Sequence, residues 1–263
     1  MSWKSLLPPK LKASDLSFEQ CRAFSEYYKL LTRKLKGPVA YRLFYQYSYH
    51  LLFYGMCCIE EKKYPALNRC YEDLSVYFLN DLFDNEWMVY FWMLCDFPLE
   101  QGSDRTVIDS FRDFLLENDD KLSSIERTHR EAFCQRLGKS RLGFYQEIMS
   151  TKKVTRYKEL FTGEVITTVR SVPYYESGEI FVGRIVSYLD DAFLIHDPRN
   201  FPPGSTPALE NMLSAKFFYI SETSDDAVDY DLFMRKAGPY VMAVTNPDSS
   251  VPVLMPDHYE SYY

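Results

Sequence analysis

The hydrophobic period of this chain changes once, near residue 140, and that change governs what it can fold into. Before it, apolar residues recur every three or four positions, the spacing that gathers them on one face of a helix. After it, apolar and polar residues alternate in short runs broken by Gly-containing turns, the spacing of half-buried strands. The expected class is therefore α+β: an N-terminal multi-helix domain over 1–139, then a β-rich module over 140–263. That module reads as a small antiparallel barrel with short C-terminal helices.

Helix boundaries are written in capping residues. Residues 1–14 read as an arm; Ser17 with Gln20 then makes a capping-box start, and Gly37-Pro38 ends that helix near Leu35. Pro38 opens a second helix to about Lys62, and Pro65 opens a third carrying Leu67, Cys70, Leu74 and Tyr77. Trp87 to Cys95 is a short apolar helix. Thr106 begins the next, and Ser123 with Glu126 caps the sixth, which runs to Gly138.

Strand signals follow. Leu142, Phe144, Gln146 and Ile148 fall on one face. Tyr157–Phe161 and Val165–Val169 flank Thr162-Gly163-Glu164, a hairpin signal, and Ser177-Gly178-Glu179 is a second turn. Ile180–Tyr188 and Ala192–Ile195 are separated by a turn at Leu189. A Pro-rich connector (198–207), a helix from about Pro207 to Tyr219, and a short helix ended by Gly238-Pro239 precede a surface tail over 246–263.

Tyr and Phe number 22 and 19 against 10 Gly, so rings carry much of the core. A net charge of −7 disfavours a broad nucleic-acid footprint, which needs clustered cations. Basic residues do gather at Lys29–Lys36 and Lys152–Lys158. Six cysteines lie before residue 135 without a CxxC pair, which points to free buried thiols and away from zinc. Pro8 and Pro9 interrupt the run that a signal peptide needs, so the expected compartment is the cytoplasm. Pro38–Cys58 has the length of a membrane span, but Arg42, Gln46 and His50 inside it argue for a buried soluble helix and no membrane contact.

Three groups are candidates for ligand or partner binding, and a fourth, His196-Asp197, is weighed only for catalysis. Arg42, Gln46 and His50, at i, i+4 and i+8, share a helix stripe that either lines an anion-binding cleft or ties the helix to acids such as Glu26, Asp73 or Asp81. Trp87, Trp92 and Asp96 form either a stacking surface or a packing core. His196-Asp197 ends a strand, where neighbouring side chains point apart. The third binding candidate is Arg184. No catalytic residue, metal ligand set or phosphate loop matches a standard motif, and no cofactor is expected.

Two stretches carry a family likeness: EWMVYFWMLCDFPLEQGSDRTVIDSFRDFL (86–115), and SIERTHREAFCQRLGKSRLGFYQEI running on through YKELFTGEVITTV and SGEIFVGRIV to Val186. Together they resemble uncharacterised bacterial proteins often joined to a SEC-C zinc segment. The resemblance implies a helical domain followed by a small β module. Its matching positions are Trp92, Asp96, Thr106, Gly163, Glu164, Gly178 and Arg184. The zinc segment itself is missing, since no Cys follows Cys134.

The reading favoured by these features is a non-enzymatic interaction or regulatory protein with a protein partner. One alternative is a hydrolase or transferase of unrecognised type using His50 or His196. Another is a nucleic-acid binder whose basic segment, with Tyr157 interleaved, lies on the β module. The aromatic surplus also allows a homo-oligomer. For Arg184 the expected partner within the chain is Glu164, across the sheet.

Overall fold

The computed structural model describes residues 16–23, 27–29, 39–77, 87–100, 102–117, 122–169, 180–195, 199–201, 206–223 and 228–244. The chain divides into two compact units, one comprising 1–139 with 187–191, the other 140–186 with 192–263. The class is α+β: N-terminal helices, a nearly closed antiparallel barrel, then C-terminal helices.

In the first unit, α1 (Phe18–Ala23), α2 (Val39–Glu60), α3 (Pro65–Tyr77), α4 (Trp87–Cys95), α5 (Val107–Glu117) and α6 (Ser124–Gly138) start where their caps foretell. Ser17 Oγ accepts the Gln20 N–H, and Ser123 and Glu126 form a reciprocal capping box. Those bonds from Ser123 hold the Glu126 carboxyl below its ordinary range. The long α2 is buried over most of its circumference, from Phe44 to Ile59, so it is the axis on which the other helices pack. Rings fill the space: Phe44 meets Phe133 at 5.6 Å, and Tyr188 meets Phe44 at 6.0 Å and Phe133 at 6.1 Å. All six cysteines are free and buried. No helix among the described residues is long and apolar enough to cross a membrane.

In the second unit, β1 (Leu142–Ser150), β2 (Val154–Glu159), β3 (Val165–Val169), β4 (Ile180–Tyr188) and β5 (Asp191–Leu194) lie in the order β3-β2-β1-β4-β5. The short β6 (Arg199–Phe201) also pairs with β4, opposite Ile180–Val182. Part of the stretch read as a Pro-rich connector is thus a strand, because the ladder groups of β4 recruit it despite its flanking prolines. The barrel interior packs Tyr145, Tyr157 and Phe181 with Ile185 and Leu194.

The hairpin at Thr162-Gly163-Glu164 forms as expected, with Gly163 at φ 72°, where a side chain would be strained. Strand β1 departs from its expected face. Its register shifts between Glu147 and Met149, a bulge that leaves Ile148 43% exposed although it shares parity with buried Phe144. After the barrel come α7 (Thr206–Thr223) and α8 (Tyr230–Val244). Helix α8 runs through Gly238-Pro239 instead of ending there. An internal proline removes one backbone hydrogen bond of a helix without necessarily ending it. The arm at 1–14, the turn at Ser177-Gly178-Glu179, His196-Asp197 and the tail at 246–263 lie outside the described residues.

Candidate functional site

Arg42, Gln46 and His50 all lie on α2 and differ in burial. Eight helical residues separate Arg42 from His50, about 12 Å of rise. Arg42 and Gln46 are half-buried, whereas His50 is 4% exposed. Its Nε2 lies 2.9 Å from the backbone carbonyl oxygen of Cys21. A carbonyl only accepts, so Nε2 carries the proton and donates it. Phe111 and Phe114 meet the imidazole edge-on at 5.2 and 6.1 Å. Burial, helped by the Arg130 charge and opposed by the Cys21 bond, pulls the His50 pKa down to about 4. His50 is therefore a neutral strut between α1 and α2, and its partner is a carbonyl. Of the acids expected there, Glu26 and Asp81 lie outside the described residues.

Trp92 is fully buried and meets Phe97 at 5.6 Å. Asp96, also buried, follows α4, and its N–H donates to the Trp92 carbonyl at 2.8 Å. These two are core. Trp87 heads α4, and its side chain falls outside the described set. Arg184 is 2% exposed within β4, and its Nη1 donates to Ser140 O at 2.7 Å and to Ser140 Oγ at 3.0 Å. It ties β4 to the residues leading into β1, while Glu164 sits exposed in the β2–β3 turn. Tyr157 is 3% exposed and packs edge-on against Phe181 at 5.1 Å. It therefore offers no stacking face beside the exposed Arg156 and Lys158.

A cleft of about 580 Å³ lies in the helical unit, among α1, the C-terminal end of α2 and the face of α5. None of the candidates above lines it. Its geometry starts from the way α2 ends. Lys62 adopts φ 50°, its N–H reaches Ile59 O at 3.0 Å, and the Lys63 N–H reaches Cys58 O at 2.9 Å. This is a Schellman motif without its usual glycine. It reverses the chain and delivers Lys63 and Tyr64 over the last turns of α2.

The floor of the cleft is a chain of hydroxyls. Lys63 Nζ donates to Tyr54 Oη at 3.1 Å, Tyr54 Oη lies 2.8 Å from Ser110 Oγ, and Tyr64 Oη bonds to the same Ser110 oxygen. Tyr54 and Ser110 are buried, Tyr64 half-buried and Lys63 exposed. The Lys63 ammonium is held against three rings, with centroids at 4.6 Å (Phe18), 5.2 Å (Tyr64) and 5.4 Å (Tyr54). On the rim, Arg22 stands over Phe114 at 5.4 Å and Arg105 pairs with Asp113 at 2.6 Å. Glu61 accepts the Phe18 N–H at 3.0 Å.

This floor resembles a relay in which a lysine and a tyrosine activate a serine, but its protonation opposes that use. Burial raises the Tyr54 phenol far above its ordinary value. Tyr54 is then a phenol and not a phenolate base for Ser110. The nearby Cys58 thiol is pushed up to about 12, chiefly by burial, so it is no thiolate nucleophile. Among the described residues, no group of three His, Cys, Asp or Glu side chains is placed to hold a metal ion.

Sequence reasoning missed this cleft because its parts lie in three segments, 18–22, 54–64 and 105–114. It also missed Glu159, 1% exposed at the end of β2. Strand parity was the available signal, since Glu159 shares the inward face of Thr155 and Tyr157. No family model, curated protein or solved structure matches the chain.

Proposed function

We propose that the protein is a non-enzymatic interaction or regulatory module, and that the cleft on its helical unit is where it engages its partner. One observation carries this reading. The cleft combines a cation set against rings, half-buried aromatic walls and a buried hydroxyl floor, and burial holds the Tyr54 phenol and the neighbouring Cys58 thiol protonated. Sites of this size with a few convergent polar groups are built for recognition. The enzyme alternative loses one of its two histidines, because His50 is walled into core, while His196 lies outside the described residues. The nucleic-acid alternative loses its stacking residue, because Tyr157 is inside the barrel.

The test is affinity capture of the tagged chain from extract of its own cells, with nuclease treatment, comparing wild type with Phe114→Ala. A protein partner that survives nuclease with wild type and is lost with the variant supports the reading. Capture that vanishes with nuclease, or turnover of a substrate by the purified chain, overturns it.

A further inference from the structure

We infer that the cleft is an oxyanion site, and that its ligand is a carboxylate or phosphate carried on a flat ring. The inference rests on the reading of the cleft as a recognition site and names what it recognises.

Proton bookkeeping on the floor leads to an anion. Tyr54, Ser110 and Tyr64 carry three hydroxyl protons, and two bonds join their oxygens. Tyr54 also bonds to the Cys58 thiol and the Tyr64 hydroxyl, so the three hydroxyl protons have acceptors within the floor. The Lys63 ammonium has three N–H groups, and among the described residues it spends one, on Tyr54. The donors left for a ligand are therefore those of the Lys63 ammonium. The two carboxylates of the cleft are engaged elsewhere: Glu61 is bonded to the Phe18 N–H and Asp113 to Arg105, both on the rim. Three cations and two acids line the cavity, a positive balance in a chain of net charge −7.

The cation is also placed in advance. Three rings lie within 4.6–5.4 Å of the Lys63 ammonium and favour its position at the mouth of the floor. Phe18 and a further ring, Phe114, form a wall for the second half of the ligand. Phe18 and Phe114 are half-buried, 6.2 Å apart and tilted by 51°, with the Arg22 guanidinium above Phe114. A planar group fits against such a wall, and a cavity of about 580 Å³ admits a ring with its acid group.

The experiment is calorimetric titration of the full chain with phenyl phosphate, benzoate, phenol and inorganic phosphate at low and moderate salt. Phenyl phosphate or benzoate is expected to bind at least roughly tenfold more tightly than phenol and than inorganic phosphate, and more weakly as salt rises. Which of the two acids binds better separates a phosphate ligand from a carboxylate. Lys63→Met and Tyr64→Phe are each expected to weaken binding by roughly tenfold, with far-UV circular dichroism and cooperative unfolding showing that each variant is folded. Equal binding of phenol, no binding of any probe at millimolar concentration, or unchanged binding by Lys63→Met overturns the inference. If Lys63→Met still captures a protein partner that Phe114→Ala loses, the recognition reading stands without the anion.

Discussion

Tyr230, at the start of α8, donates its hydroxyl to Glu159 Oε1 at 2.6 Å, joining the C-terminal helix to the end of β2. The other oxygen of that carboxylate accepts from Phe161 N, Thr162 N and Thr162 Oγ1. One buried acid thus holds both the hairpin turn and the helix. Burial and the neighbouring carboxylate raise the Tyr230 phenol well above its ordinary value, so it remains a donor. Tyr230→Phe keeps the ring beside Phe161 and under Arg141. It is expected to cost about 2 kcal/mol, the range for a hydrogen bond to a charged group. Glu159→Gln should cost more, because its amide turns a donor toward N–H groups. Urea denaturation of both single variants and the double variant checks this, and additive losses would show that the bond couples nothing.

His50 makes stability depend on pH. Its folded pKa of about 4 lies below the ordinary 6.5, so the unfolded chain binds the extra proton between those values. Its contribution is therefore complete above pH 6.5 and is lost as pH falls toward 4. The full loss is about 3 kcal/mol, taking each pKa unit as about 1.4 kcal/mol. His50→Gln can still donate to the Cys21 carbonyl, and it does not titrate. Its unfolding free energy should fall less than that of wild type between pH 7 and pH 4.5. Parallel curves for the two proteins would contradict the assignment of a buried neutral imidazole.

Much of the fold is local chemistry and was legible for that reason. Ser123 with Glu126, Pro65 and Gly163 act within four residues of themselves, so their helices and hairpin could be read directly. The exceptions have physical causes. Gly238-Pro239 is a strong breaker signal, yet one missing N–H does not by itself end a helix. The bulge at Ile148 reverses strand parity without any residue to announce it. The polar stripe of α2 was visible, but a helix buried nearly all round has no face that periodicity can single out. The cleft depends on Phe18, Tyr54 and Ser110 meeting across more than 90 residues of sequence, and no spacing encodes that.

Lys62 is the exception to a local rule that matters for the cleft. A residue with a side chain at φ 50° is held in the left-handed region at a cost of about 1–2 kcal/mol. Glycine relieves most of that while loosening the unfolded chain. Lys62→Gly is expected to raise stability by about 0.5–1 kcal/mol and to leave Lys63 and Tyr64 in place. Thermal unfolding measures the gain. A loss would mean that the Lys62 side chain makes a contribution that its exposure does not reveal.

Gly55 tests how closely α2 and α4 are locked. A glycine in a helix interior costs about 1 kcal/mol relative to alanine, so Gly55→Ala should stabilise α2 taken by itself. Packing opposes this. A Cβ at Gly55 would stand 2.5 Å from Leu94 Cδ2 and 2.7 Å from the Tyr90 hydroxyl. Neither can step aside freely. Leu94 is fully buried, and Tyr90 donates to the Leu52 carbonyl at 3.0 Å, which fixes its ring against α2. Overpacking of a close-packed core costs about 1–3 kcal/mol, more than the propensity gained. Gly55→Ala is therefore expected to lower the unfolding free energy by about 1 kcal/mol or more, read from urea midpoints at constant slope. Equal or greater stability would show that α4 slides along α2, and that the Tyr90–Leu52 bond does not hold it.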